Sequence, residues 1–68
     1  MTFGEKLRQL RTAKGLRLID VSTELNVHIM TYTRYELDKR EPSLDMLKTL
    51  CKFFDVSADY LIGLTDEY

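Results

Sequence analysis

One cysteine, one proline, three glycines and no tryptophan occur in a chain of 68 residues. A single thiol, Cys51, leaves no intrachain disulfide, which accords with a reducing compartment. No apolar run approaches the roughly 18 residues of a membrane span. Charges begin at Glu5 and Lys6, so the N-terminus lacks a signal-peptide layout. There is no nucleophile with a base beside it, no metal-ligand cluster and no glycine-rich phosphate loop. His28 is the only histidine, with no Cys, Asp or Glu at ligand spacing. These absences exclude the common catalytic and metal-dependent classes, and neither cofactor nor metal is expected.

What remains is ordinary for a folded domain. Hydrophobic residues make up 44% of the chain and charged ones 31%, a balance that argues against disorder. A chain this short forms one domain, 1–68, with a small core; it buries only about 60% of its unfolded surface. The net charge of −1 is unpromising for a nucleic-acid binder, but its distribution is uneven. Residues 1–40 carry eight basic and five acidic groups, net +3, and residues 41–68 carry two basic and six acidic groups, net −4. A domain polarised in this way presents a positive face to phosphates and turns a negative one away, although small imbalances also arise by chance.

Read in order, the chain spells five short helices. Residues 2–14 open with Thr2 and Glu5 in the T-x-x-E spacing of a capping box. Phe3, Leu7, Leu10 and Ala13 recur at the helical period and form its buried stripe. Gly15 ends the helix from the C′ position. Residues 17–25 make a second helix with a poor start, because Arg17 is no N-cap; Asp20 compensates through the helix dipole. Leu18, Val21 and Leu25 share a face, and Ile19 points elsewhere. Asn26 suits a left-handed turn, and a third helix follows at about 28–37. Pro42 punctuates the chain, and Ser43 caps a fourth helix, 44–54, striped by Leu44, Leu47, Leu50, Cys51 and Phe54. Ser57 caps a fifth helix running to about Ile62, closed by Gly63, and the tail is expected to fray. No strand pattern competes, so the fold class is compact all-α. A turn joining two short helices, with the basic residues Lys39 and Arg40 behind the second, is the plan of a helix-turn-helix at about 17–37. Periodicity leaves the third helix ambiguous. Ile29, Met30, Thr33, Arg34 and Leu37 lie on one face, and His28, Thr31, Tyr32 and Tyr35 on the other. Both faces are substantially apolar.

The stretches GEKLRQLRTAKGL, VSTELNV, TRYELDKREPSL and FFDVSADYLIG, in that order and spacing, resemble the Cro and phage-repressor type of helix-turn-helix, the XRE-like family, over essentially the whole chain. The resemblance implies a lambda-repressor-like bundle of five helices whose third helix enters the major groove. It implies that Val27, Tyr32 and Tyr35 are buried while Ile29, Met30, Thr33 and Arg34 face DNA. It implies an ion pair between Arg11 and Glu36, and a homodimer contact at the C-terminus built from Tyr60, Ile62, Leu64 and Tyr68. The function implied is a cytoplasmic transcriptional regulator, bacterial or prophage-derived, that binds a double-stranded DNA operator and represses.

The departures from the family pattern bear on specificity. Arg17 and Leu18 stand where the family has Ser or Thr followed by Gln, so Leu18 would face Ile29 as an apolar pair in place of an amide pair. His28 stands where a Ser or Thr cap is usual. Side chains suited to pairing with base edges are therefore few: Arg34 can donate two hydrogen bonds to guanine, and Ile29 and Met30 can meet thymine methyl groups. Lys39, Arg40, Arg17, His28 and the amide of Leu18 are the candidate phosphate contacts; the bland alternative is a solvated loop for Lys39 and Arg40 and a poor helix start for His28. A rival from another class keeps the fold and uses Leu18, Ile19, Ile29 and Met30 to dock a protein antagonist, with little specific DNA binding.

Overall fold

The computed structural model describes all 68 residues. It contains five helices: α1 (Phe3–Ala13), α2 (Leu18–Glu24), α3 (Ile29–Glu36), α4 (Leu44–Phe54) and α5 (Ala58–Leu61). α3 packs against both α1 and α2, while α5 packs on α4 and reaches back to α1. No residue is in a strand.

Short-range chemistry sets the starts of these helices. Thr2 and Glu5 close the expected capping box: the Glu5 amide donates to the Thr2 hydroxyl at 3.1 Å, and the Thr2 amide donates to the Glu5 carboxylate at 2.8 Å. Ser43 accepts from the Met46 amide and Ser57 from the Tyr60 amide. α2 lacks a side-chain acceptor at its N-cap, but half of a capping box survives, because the Arg17 amide donates to the Asp20 carboxylate at 2.8 Å. Asp20 thus acts through a hydrogen bond as well as through the dipole. At α3, His28 is an effective cap and not the weak start expected of it: Nδ1 accepts from the Met30 amide at 3.0 Å.

All five helices end alike. A residue of left-handed conformation follows each: Gly15, Asn26, Asp38, Asp55 and Gly63. The next amide reaches back five residues, as in Leu16 N to Arg11 O, Val27 N to Ser22 O and Lys39 N to Arg34 O. This is the bonding of the Schellman motif, which satisfies carbonyls that the helix leaves free. Three of the five positions are Asn or Asp, the residues after glycine that best tolerate this conformation.

Only 13 of 68 residues are buried, so each inward side chain matters. Leu7, Val21, Tyr32, Leu50 and Leu61 are almost wholly enclosed. The ambiguity of α3 resolves with Tyr32 and Tyr35 inside, their rings edge to face at 6.4 Å, and with Met30, Arg34 and Leu37 exposed. Val27 is half-buried against the core. Two expected stripe members lie outside it. Ala13, at the end of α1, is exposed, because the chain turns away there at Gly15. Leu44 is 77% exposed, since it occupies the first turn of α4, at the shoulder of a stripe that continues inward through Leu47, Leu50 and Phe54.

Four buried residues break the hydrophobic pattern: Gly4, Lys6, Ser22 and Glu36. Lys6 lies under α5, where its Nζ donates to the Tyr60 carbonyl at 2.7 Å and sits 4.8 Å from the centre of the Tyr60 ring. The carbonyl, at the negative end of α5, and the ring face both favour a cation. The ring of Tyr68, itself largely exposed, lies 4.6 Å from that of Tyr60. Gly4 is buried because α1 touches the backbone of α3 there. A Cβ at this position would fall on the Glu36 carbonyl and lie 2.7 Å from the Tyr35 carbonyl oxygen. Gly4→Ala should therefore force the two helices apart and cost about 1–3 kcal/mol or more, as overpacking does. Gly15→Ala meets open space and should cost only about 1 kcal/mol for its left-handed backbone. Urea denaturation of the two variants checks this order, and equal losses would contradict it.

Candidate nucleic-acid interface

α2, the turn at Asn26 and α3 form one unit. Asn26, with φ of 56°, reverses the chain, and Val21 of α2 and Leu25 at its C-cap join Tyr32 and Tyr35 of α3 in the core. With those residues inside, the other face of α3 points to solvent. Met30 is 49% exposed, Arg34 is exposed, and Ile29 and Thr33 are half-buried at the edges of this face. The Thr33 hydroxyl donates to the Ile29 carbonyl at 2.7 Å. Its proton is therefore taken, leaving an acceptor and a methyl group available. Leu18 is half-buried against the core, while Ile19 beside it is 45% exposed. Lys39 and Arg40 follow directly in the exposed turn that closes α3.

The candidate phosphate contacts are not equally free. Arg17 is exposed, but its guanidinium is engaged twice by Asp20, through Nε at 3.1 Å and Nη2 at 2.9 Å. The pairing raises the Arg17 pKa above its ordinary value. It lowers that of Asp20, first through the side-chain bond and then through the Arg17 amide. His28 gives Nδ1 to its cap, leaving the other ring nitrogen as the donor in the neutral form. Arg34, Lys39 and Arg40 have no ion pair.

Behind this face lies a buried ion pair. Arg11 on α1 donates from Nε to Glu36 Oε2 at 2.7 Å and from Nη2 to Oε1 at 3.1 Å, while its Nη1 donates to the Leu16 carbonyl at 2.9 Å. The side chains are 13% and 5% exposed. One guanidinium thus joins α1, the α1–α2 link and the end of α3. Tyr32 is fully buried, and its hydroxyl has no partner at hydrogen-bonding geometry. Burial first, and the Glu36 carboxylate second, raise its pKa and keep the phenol protonated.

At the C-terminus, Tyr60 is only 8% exposed and belongs to the monomer core. It is therefore not a surface residue as expected of a dimer contact, whereas Ile62, Leu64 and Tyr68 are exposed. Asp38 escaped the sequence reading altogether. Its carboxylate accepts from the Gly4 amide at 2.9 Å and from the Thr2 hydroxyl at 2.6 Å. An acidic residue just after a helix, where glycine is the usual stop, is the only local hint of it.

A small all-helical domain with a two-helix reading unit and an outward third helix defines the class. A family profile described as helix-turn-helix matches residues 7–61, and the chain belongs to that family. Among relatives, it is 38% identical over 63 residues to the uncharacterised HTH-type transcriptional regulator YobD of Bacillus subtilis (strain 168), covering 93% of this chain and 56% of YobD. It is 39% identical to the HTH-type transcriptional activator BcrR of Enterococcus faecalis, covering 93% of this chain and 31% of that protein. With ImmR of B. subtilis, another HTH-type transcriptional regulator, it shares 33% identity, over 93% of this chain and 50% of ImmR. The chain thus spans about half or less of these relatives' lengths. The crystal structure of the P22 c2 repressor in complex with synthetic operator 9T superposes with a TM-score of 0.87 at 25% identity, over 93% of this chain and 96% of the repressor chain.

The charge geometry sets three expected outcomes. Glu36→Ala strands a buried guanidinium and should cost on the order of 3–5 kcal/mol in urea denaturation, with Glu36→Gln losing less. An unchanged Glu36→Ala transition would mean that the pair holds nothing. For Arg17 the expected change is in binding. Asp20→Asn retains an acceptor for the Arg17 amide and frees the guanidinium, so affinity for duplex DNA at low salt should rise and the salt slope should steepen by about one. Acidification should act in the same sense. The Asp20 pKa is depressed in the folded state, so the pair's stabilisation is present above the unfolded carboxylate's pKa and is lost as pH falls through the lowered value. Titration of wild type and Asp20→Asn with duplex DNA against salt, and of wild type against pH, measures both effects on binding.

Proposed function

We propose that this domain is a sequence-specific DNA-binding transcriptional regulator that works in the cytoplasm as a homodimer on a short, near-palindromic operator. The observation that carries the reading is the outward face of α3, with Arg34 and the Lys39–Arg40 turn at its end, on a fold shared with an operator-bound repressor. Phosphate contacts from Lys39, Arg40, His28, Arg17 and the Leu18 amide fix register, and α3 reads bases. Arg34 takes a guanine; Ile29, Met30 and the Thr33 methyl group meet thymine methyls. Ile62, Leu64 and Tyr68 supply the exposed part of the dimer contact. Repression follows from exclusion of polymerase from the occupied site. No catalytic step, cofactor or metal enters this reading.

The exposure of Ile19 and Met30 gives one rival weight: the same surface docking a protein antagonist in place of DNA. Selection from a random duplex library, followed by titration of the winner, separates the two. The expected product is a near-palindrome with half-sites one helical turn, about 34 Å, apart, bound with log affinity falling linearly in log salt. Arg34→Ala should cost about 1–3 kcal/mol and relax preference at one G·C pair. Replacing thymine by uracil in that operator should weaken wild type and leave an Ile29→Ala, Met30→Ala variant insensitive. No enrichment and no salt-dependent affinity would overturn the reading in favour of the protein-docking rival.

A further inference from the structure

Asp38 stands where α3 stops and the basic turn begins. Its φ of 58° is left-handed, and its amide donates to the Tyr35 carbonyl at 3.2 Å while the Lys39 amide donates to the Arg34 carbonyl at 2.9 Å. Glycine would close this helix with less strain. What the aspartate adds is its carboxylate, which reaches across to the first turn of α1. Oδ1 accepts from the Gly4 amide and Oδ2 from the Thr2 hydroxyl, 34 and 36 residues away in sequence. Thr2 is itself fixed by its reciprocal bonds with Glu5, and the helices are so close at Gly4 that a Cβ there would collide with the Glu36 and Tyr35 carbonyls. The turn bearing Lys39 and Arg40 is thus tethered at its first residue to a helix start that is itself held on α3.

We propose that Asp38 is a positioning residue for DNA binding: its bonds to α1 hold the Lys39–Arg40 turn in the arrangement that meets the phosphates. The proposal rests on the DNA-binding reading given above. Electrostatics makes it more than a stability statement. An anion next to two phosphate-contacting cations weakens DNA binding, so a carboxylate here works against the surface's charge. Its geometric contribution must outweigh that repulsion. Neutralising the charge and removing the tether are therefore separable.

Asp38→Asn keeps an oxygen acceptor and a side chain tolerant of the left-handed backbone, and removes the charge. Asp38→Gly removes charge and tether together while easing the backbone. The probe is a random-sequence duplex titrated with the domain at several salt concentrations, with thermal unfolding and helical circular dichroism of each variant in parallel. Asp38→Asn should bind at least as tightly as wild type. Asp38→Gly, still folded, should bind about tenfold more weakly than Asp38→Asn, with a salt slope shallower by about one, the loss of one phosphate contact. Lys39→Ala should reduce the slope by about one in wild type and by clearly less in the Asp38→Gly background. Equal affinities and slopes for the Asn and Gly variants, with only the melting temperature changed, would make Asp38 a helix cap and nothing more. Should Asp38→Gly not fold, the comparison passes to Thr2→Val, which removes one arm of the tether; unchanged binding by that variant would overturn the proposal. If wild type shows no salt-dependent affinity for any duplex, the DNA-binding reading falls and this proposal with it. If Lys39→Ala weakens binding and Asp38→Gly does not, this proposal fails alone.

Discussion

The Arg11 guanidinium is the constraint on which the rest of this small structure depends. Its three bonds, two to Glu36 and one to the Leu16 carbonyl, fix α1 against the end of α3 and the start of the link to α2. A charge taken out of water is costly unless its partners are well placed, and here the partners come from three different parts of the chain. The arrangement therefore ties three separate parts of the chain together at one point. It also ties the helix that points outward to the helix that begins the fold. With so few buried residues, hydrophobic contact alone leaves α3 free to rotate or slide; a bidentate pair with a defined geometry removes that freedom.

Much of the fold was legible in the sequence because the deciding interactions are short-range. Thr2 with Glu5, Ser43 with Met46 and Ser57 with Tyr60 each lie three residues apart, and Gly15, Asn26 and Gly63 announce left-handed stops. The orientation of α3 was not legible from periodicity, because Ile29 and Met30 on one face are as apolar as Tyr32 and Tyr35 on the other. Only what packs against the helix decides. The same holds for Leu44 and Ala13, which obey the helical period yet extend beyond the body that would cover them. Lys6 and Asp38 were missed for the opposite reason. Their partners, Tyr60 and the Thr2–Gly4 segment, are more than 30 residues distant, and nothing local tells a lysine or an aspartate with a distant partner from a solvated one.

The candidate interface was legible as a set of residues and not as a set of availabilities. Arg17 reads as a free cation, but Asp20 three residues on engages one edge of its guanidinium through Nε and Nη2. His28 reads as a misplaced cap and turns out to cap with a ring nitrogen. Thr33 is placed on the DNA-facing side, and its hydroxyl proton is used within its own helix. In each instance a group four or fewer residues away competes for the atom that a ligand would need. Arg34, Lys39 and Arg40 have no such competitor.

α3 divides its duties by position. Tyr32, Tyr35 and Glu36 carry its attachment to the body, while Met30 and Arg34 carry almost none of it. Selection can act on the two sets separately. A duplicated copy of the gene can change Met30 and Arg34 repeatedly, since exposed substitutions of this kind usually move stability by no more than about 0.5 kcal/mol. The inward set must stay still throughout. A lineage built on this scaffold can thus diversify in what it recognises without first acquiring compensating changes in its core, and two descendants with unrelated targets would still share the three inward residues of this helix.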